Sequence, residues 1–123
     1  MSEFKTDLYV HLIESRMPRS IWALTADFVY ESELLGQDVI VPIGFRTDFA
    51  SVPRLPVAWL YAGGCAPKSA VVHDYLVRTA EVPREQADEV FLEAMGAEGI
   101  EENRRQIMYR AVCLATWANQ FGE

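Results

Sequence analysis

The chain has 123 residues, half of them hydrophobic and 24% charged, and its formal net charge is −7. This length predicts a single domain over residues 1–123, with a core that needs no disulfide or metal for stability. Its apolar runs are too short to cross a bilayer, and its first residues lack the pattern of a signal peptide. The scattered basic residues argue against a nucleic-acid partner. Cys65 and Cys113 lack metal-type spacing and are expected to be reduced, mostly buried thiols.

The first half of the sequence has the residue types of short β-strands. Segments 8–13, 21–25, 28–30 and 38–45 are rich in aromatic and β-branched residues. Because Pro42 has no backbone N–H, the last of these strands is expected at a sheet edge or a bulge. The pattern predicts an antiparallel meander of about four short strands.

The second half changes to the spacing of amphipathic helices, which we expect over residues 67–78, from 83 to about 96 or 99, and from about 101 to 120. Pro67 and Pro83 suit the first turns of the first two helices. Strands followed by helices indicate an α+β domain, here a β-meander followed by about three packed helices. The side chains expected to face the core from the third helix are Ile107, Ala111, Leu114, Ala115 and Ala118.

Two short polar clusters interrupt this core-forming sequence. The first is TDFASVPR at residues 47–54, and the second is His73-Asp74-Tyr75. Helical spacing puts His73 on the mostly apolar face, so its imidazole is expected to point inward. It could be a core histidine satisfied by a backbone carbonyl or by Asp48, or it could be the centre of a site.

Carboxylates supply the candidates for a site around His73. Asp88 lies at the border of an apolar stripe, where a charge needs a partner such as His73 or Arg54. If Asp48, His73 and Asp88 converge, they form a set suited to one divalent metal such as Zn²⁺, which would activate a water for hydrolysis. Asp48 could instead cap a turn.

A second arrangement uses Ser51 as nucleophile, His73 as base and an aspartate as the orienting acid. No Gly-x-Ser-x-Gly elbow surrounds Ser51, which disfavours this scheme. Asp74 lies about a quarter turn from His73 on a helix, so their side chains diverge and a shared metal is not implied. Arg54 could bind an anionic ligand, but an internal pair with an aspartate is favoured.

Aromatic residues supply the remaining binding candidates. Trp59 and Tyr61 lie in an irregular connection that joins the two polar clusters, and Tyr75 belongs to the second cluster. Long irregular connections inside compact domains are often functional, so these residues are candidates for contact with a ligand or partner. Trp22 and Trp117 are expected to fill the core.

The order and spacing of these motifs resemble those of domain-of-unknown-function family 1353, which occurs in tailed phages and prophages. The resemblance runs from about Phe28 to Trp117, and every polar residue of the family pattern is present. Two departures are Val77, where an aromatic residue often stands, and residues 115–116, where a glycine is common before the final Trp. The segments that carry the resemblance are VPIGFRTDFASVPR at 41–54, HDYL at 73–76, AD at 87–88, Phe91 and AM at 94–95.

This resemblance gives no established activity, but it implies a phage setting. We expect a virion or tail-associated component with a buried Asp/His/Asp/Arg polar site, found in the host cytoplasm or the virion, with other phage tail or virion proteins as partners. The alternative is a small metal-dependent hydrolase of cell-wall peptide or glycan bonds, less favourably of phosphoesters, with a divalent metal such as Zn²⁺. Whether the protein is an enzyme, and its oligomeric state, stay open.

Overall fold

The computed structural model describes residues 2–16, 19–47 and 66–121. Within these residues, six strands precede three helices, which confirms the expected α+β arrangement. The strands are β1 (Glu3–Phe4), β2 (Val10–Arg16), β3 (Arg19–Leu24), β4 (Phe28–Ser32), β5 (Gln37–Val41) and β6 (Arg46–Thr47). The helices are α1 (Pro67–Thr79), α2 (Arg84–Ala97) and α3 (Glu102–Phe121).

The described strands form two small antiparallel sheets, one with the order β1-β4-β5 and the other with the order β2-β3-β6. Strand β5 lies at a sheet edge and ends at Val41, directly before Pro42, as the missing N–H of this proline predicts. The chain then turns through Gly44, whose φ of +88° is unfavourable for residues with a Cβ. The strand expected over 38–45 is therefore shorter, and its second half is a turn.

The main core lies between the first sheet and the first two helices. Phe28 and Tyr30 of β4 point to the same face because side chains alternate along a strand, and both are buried. They belong to one apolar cluster with Val72 and Leu76 of α1 and Val90 of α2. This cluster sets α1 and α2 side by side on the sheet.

A second cluster joins α2 to α3, through a face of α3 other than the one expected. Met108 and Val112 are buried there with Phe91 and Met95 of α2. This shifts the buried stripe by one or two positions along the helix. The two stripes are hard to distinguish in the sequence because α3 carries apolar residues on more than one face.

The expected core positions on the other face of α3 are wrong. Ile107 and Leu114 are exposed, and Trp117 is exposed as well. Trp22 on β3 is half-buried rather than central. Packing against α2 uses only one side of α3, which leaves these side chains on the outside.

Glu93 fastens α2 to the first sheet. Its carboxylate accepts hydrogen bonds from the Tyr30 hydroxyl at 2.7 Å, the Ser32 hydroxyl at 2.8 Å and the Leu34 amide at 2.8 Å. Burial opposes ionisation of Glu93, but these hydrogen bonds outweigh it and lower its pKa below the ordinary value. Burial and the same contact raise the pKa of Tyr30.

Glu98 links the end of α2 to the beginning of α1. Its carboxylate accepts hydrogen bonds from the amides of Lys68 at 3.1 Å and Ser69 at 3.0 Å, and from the Ser69 hydroxyl at 2.6 Å. Ala66, the residue before α1, has no side chain that can cap the helix. A carboxylate from the next helix therefore satisfies the first amides of α1.

The Glu93 contacts predict how stability responds to acid. A carboxyl group whose pKa is lowered on folding stabilises the protein above its unfolded pKa, near 4.5, and this contribution is lost as the pH falls through the lower folded value. We expect Glu93→Gln to lower the free energy of unfolding by about 1–2 kcal/mol near neutral pH and to flatten its dependence on pH in acid. Urea denaturation at several pH values measures both effects.

Glu89→Gln is the control, because Glu89 is exposed on the same helix. It should leave both quantities close to those of the wild type. A difference between wild type and Glu93→Gln that stays constant from neutral to acidic pH would contradict the linkage.

Candidate functional site

The connection between α1 and α2 folds the two helices back beside each other. Helix α1 ends at Ala80, whose left-handed φ of +53° reverses the chain, and Pro83 precedes the first turn of α2. Both prolines thus take the positions that the sequence predicts for them. The reversal brings together His73 and Asp88, which are 15 residues apart in the sequence.

His73 and Asp88 form a buried polar pair. Nε2 of His73 lies 2.7 Å from Oδ1 of Asp88, and each residue is only 1% exposed. An ionised carboxylate can only accept hydrogen bonds, so Nε2 carries the hydrogen that is donated. The ring of Phe91 packs beside the imidazole, with 5.1 Å between the ring centroids. His73 therefore points inward, and Asp88 has a partner for its charge.

The other ring nitrogen of His73, Nδ1, is buried and has no hydrogen-bond partner among the described residues. When Nε2–H is donated to Asp88, a neutral ring keeps its lone pair at Nδ1. This is the atom that could accept a proton or bind a metal ion. Leaving such an atom unpaired in a protein interior costs about 1–3 kcal/mol, so it is the feature of the pair that packing does not explain.

Asp74 and Tyr75, the neighbours of His73 in the sequence, have different partners. Oδ1 of Asp74 accepts a hydrogen bond from Nε of Arg78 at 3.0 Å, one turn along α1. The Tyr75 hydroxyl donates to Glu81 at 3.2 Å, and its ring meets the ring of Phe45 edge-on. Arg78 also donates to the carbonyl of residue 46 at 2.7 Å. These side chains tie α1 to the turn before β6, and the structure does not bring them to the His73–Asp88 pair.

The other expected site residues are not described. Within residues 2–16, 19–47 and 66–121, no group of three or more His, Cys, Asp and Glu side chains could hold a metal ion. Since Asp88 contacts Nε2, its observed contact is that of a hydrogen-bond partner of the ring rather than of a second ligand beside Nδ1. The candidates outside the described residues are Asp48, Ser51, Arg54, Trp59 and Tyr61.

Cys113 is a free, half-buried thiol, in line with the expectation for this cysteine, while Cys65 lies outside the described residues. Burial raises the pKa of Cys113, although a hydrogen bond with Tyr109 opposes the change. The same hydrogen bond, together with burial, raises the pKa of Tyr109 to about 12. A thiol with a raised pKa is a poor nucleophile, so Cys113 is not a second candidate for chemistry.

The sequence analysis missed the two structural carboxylates, Glu93 and Glu98. A partial signal for Glu93 exists in β4, where Tyr30 and Ser32 share the inward face and buried hydroxyls need a partner. For Glu98, the signal is the absence of a capping side chain at Ala66. Neither signal identifies which residue supplies the missing contact.

These observations define an α+β protein with a buried histidine–aspartate pair between its first two helices. A family model described as "Protein of unknown function (DUF1353)" matches residues 22–112, about three quarters of the chain. The chain belongs to this family, which confirms the family expected from its motifs. Searches of curated proteins and of solved structures found no match.

None of the helices in the described part of the chain has both the length and the apolar character needed to span a membrane.

The geometry of the pair predicts a strong energetic coupling. His73→Leu leaves a buried carboxylate without its donor and should lower the free energy of unfolding by about 3–5 kcal/mol, with a similar loss for Asp88→Leu. The double variant should lose much less than the sum, because no unpaired charge remains. Urea denaturation of the four proteins near neutral pH gives the coupling energy.

His11→Leu is the control for this cycle, since His11 is the other histidine and is exposed on β2. It should change stability by no more than about 0.5 kcal/mol. Strictly additive losses in the cycle would show that the 2.7 Å contact contributes no coupling.

Proposed function

We propose that this protein is a virion or tail-associated component of a tailed phage or prophage, in which the His73–Asp88 pair is part of the scaffold. The observation that carries the proposal is the enclosure of the pair, whose side chains are each 2% exposed. A catalytic group must reach its substrate, and neither side chain faces solvent in this conformation. The phage setting is what the family resemblance implies.

A scaffolding role agrees with the position of the pair between two helices. Such a pair is costly to desolvate, and removing one partner is more costly still, so it selects packings in which the two groups meet. Asp88 and His73 meet only when α1 and α2 adopt one relative position. We therefore assign the pair the role of setting the packing of these helices.

The surface supports a role in an assembly. Tyr9, Leu12 and Ile13, at and just before β2, are all exposed, as is Ile43 in the turn before β6. Exposed apolar side chains that gather in one region mark protein interaction sites more often than scattered ones do. Other tail or virion proteins are the proposed partners, and the acidic net charge of −7 makes nucleic acid an unfavourable one.

Particle composition tests this proposal. Mass spectrometry of density-purified particles of the encoding phage should find the chain at a copy number related by simple ratios to the tail proteins. Cleared host lysate from the same infection is the comparison sample. A chain that is abundant in the lysate and missing from purified particles would refute the structural role.

A metal-dependent hydrolase is the second candidate, and the unpartnered Nδ1 of His73 is the observation that favours it. In this alternative, Nδ1 would hold a divalent metal such as Zn²⁺, and Asp88 would fix the orientation of the ring through Nε2. The metal would supply an activated water. Asp48 and Ser51 would be further site residues, and Arg54 would bind an anionic group of a cell-wall or phosphoester substrate.

Calorimetric titration with Zn²⁺ separates the two candidates. The hydrolase requires stoichiometric binding that is lost in His73→Ala and retained in His11→Ala. The scaffold predicts that both variants and the wild type behave alike in the titration, while only His73→Ala unfolds at a lower temperature. Loss of binding in His73→Ala with an unchanged melting temperature would favour the hydrolase.

A further inference from the structure

Helix α3 carries a second apolar stripe that α2 does not cover. Ile107 is 47% exposed, Leu114 is 64% exposed and Trp117 is 58% exposed. Ile107 and Leu114 are one heptad apart, and Trp117 follows three residues later, so the three side chains lie on one line along the helix. Arg110, which is also exposed, occupies the remaining position of this line.

This spacing is that of a helix–helix seam. A stripe whose apolar positions alternate between steps of three and four residues is the surface that a partner helix covers in a coiled coil. The inward face of α3, with Met108 and Val112, already accounts for the packing on α2. The outward stripe therefore has no role in the packing of the described helices within one copy.

The charges on α3 favour an antiparallel partner helix with the same charge distribution. Arg104 and Arg110 are exposed in the first half of the helix, and the last turn has no basic residue. Basic residues near the N-terminus oppose the helix dipole, whereas the same residues are favourable beside a C-terminus. A second α3 running in the opposite direction would place Arg104 of each copy near the C-terminal end of the other.

We propose that the protein forms a two-fold symmetric dimer through antiparallel pairing of α3 with α3 of a second copy. Coiled-coil layering then puts Ile107 of one copy opposite Trp117 of the other, and Arg110 opposite Leu114. The aliphatic stem of Arg110 covers Leu114 while its guanidinium stays in solvent. Each contact occurs twice, as a two-fold interface requires.

The seam is short, which sets the expected strength of the dimer. From residue 107 to residue 117 a helix extends about 15 Å, less than a standard interface of about 800 Å² per partner needs. We therefore expect a reversible dimer that dissociates on dilution. The inference does not depend on the proposed phage role, since it concerns the isolated protein.

Sedimentation equilibrium over a wide concentration range tests the dimer. The wild type should shift from monomer to dimer, and Leu114→Glu should weaken association at least about tenfold because it buries a carboxylate in the seam. Ile40→Glu is the matched control, since Ile40 is 52% exposed on β5, and its association should equal that of the wild type. A wild type that is monomeric throughout, or equal effects of the two variants, would overturn the proposal.

Arg104→Glu tests the orientation of the two helices. In the antiparallel dimer this variant brings an acidic group to the negative end of the partner helix, so association should weaken by about three- to thirtyfold over the two symmetric contacts. In a parallel dimer the two Arg104 side chains would lie together, and removing them would leave association unchanged or strengthen it. Either of those results would overturn the antiparallel arrangement, provided that circular dichroism shows the variant to be folded.

Discussion

The hydrogen bond between His73 and Asp88 is the contact that most strictly limits how the helices can pack. Apolar neighbours such as Val72, Leu76 and Val90 could pack in several helix registers at similar cost. A buried carboxylate has no such freedom, because a small shift of α1 along α2 would leave it unpaired in an apolar interior. The apolar cluster supplies most of the stability, and the polar pair decides which packing is adopted.

Helix α2 distributes this kind of constraint over the whole protein. Asp88, Glu93 and Glu98 follow one another at equal intervals, and each interval rotates the side chain by about 140° around the helix axis. The three carboxylates consequently reach three different places, which are the middle of α1, strand β4 and the first turn of α1. One helix thus fixes both the sheet and the neighbouring helix through charged hydrogen bonds, which are stronger than neutral ones.

Periodicity and proline positions are local properties, and they predicted the helices, the edge strand before Pro42 and the inward direction of His73. Contacts between distant residues are not local, so the sequence could not identify Asp88 rather than Asp48 as the partner of His73, nor Glu93 and Glu98 as anchors. The face of α3 was misjudged for a related reason. Its Ile107 stripe and its Met108 stripe are equally apolar, and only the position of α2 decides which one is buried.

The unpaired Nδ1 of His73 does not by itself require a ligand. Its burial costs about 1–3 kcal/mol, whereas breaking the bond between Nε2 and Asp88 costs about 3–5 kcal/mol, so the pair remains favourable relative to either broken state without any further partner. Energetically, the scaffold is complete as it stands, and a catalytic role would need an additional opening of the helices to admit a substrate. The side chains that do lack a partner in the packing of the described helices are apolar and lie outside, along Ile107 and Leu114 of α3. For this reason we look for the function at the surface, in contacts between protein chains, rather than at the buried pair.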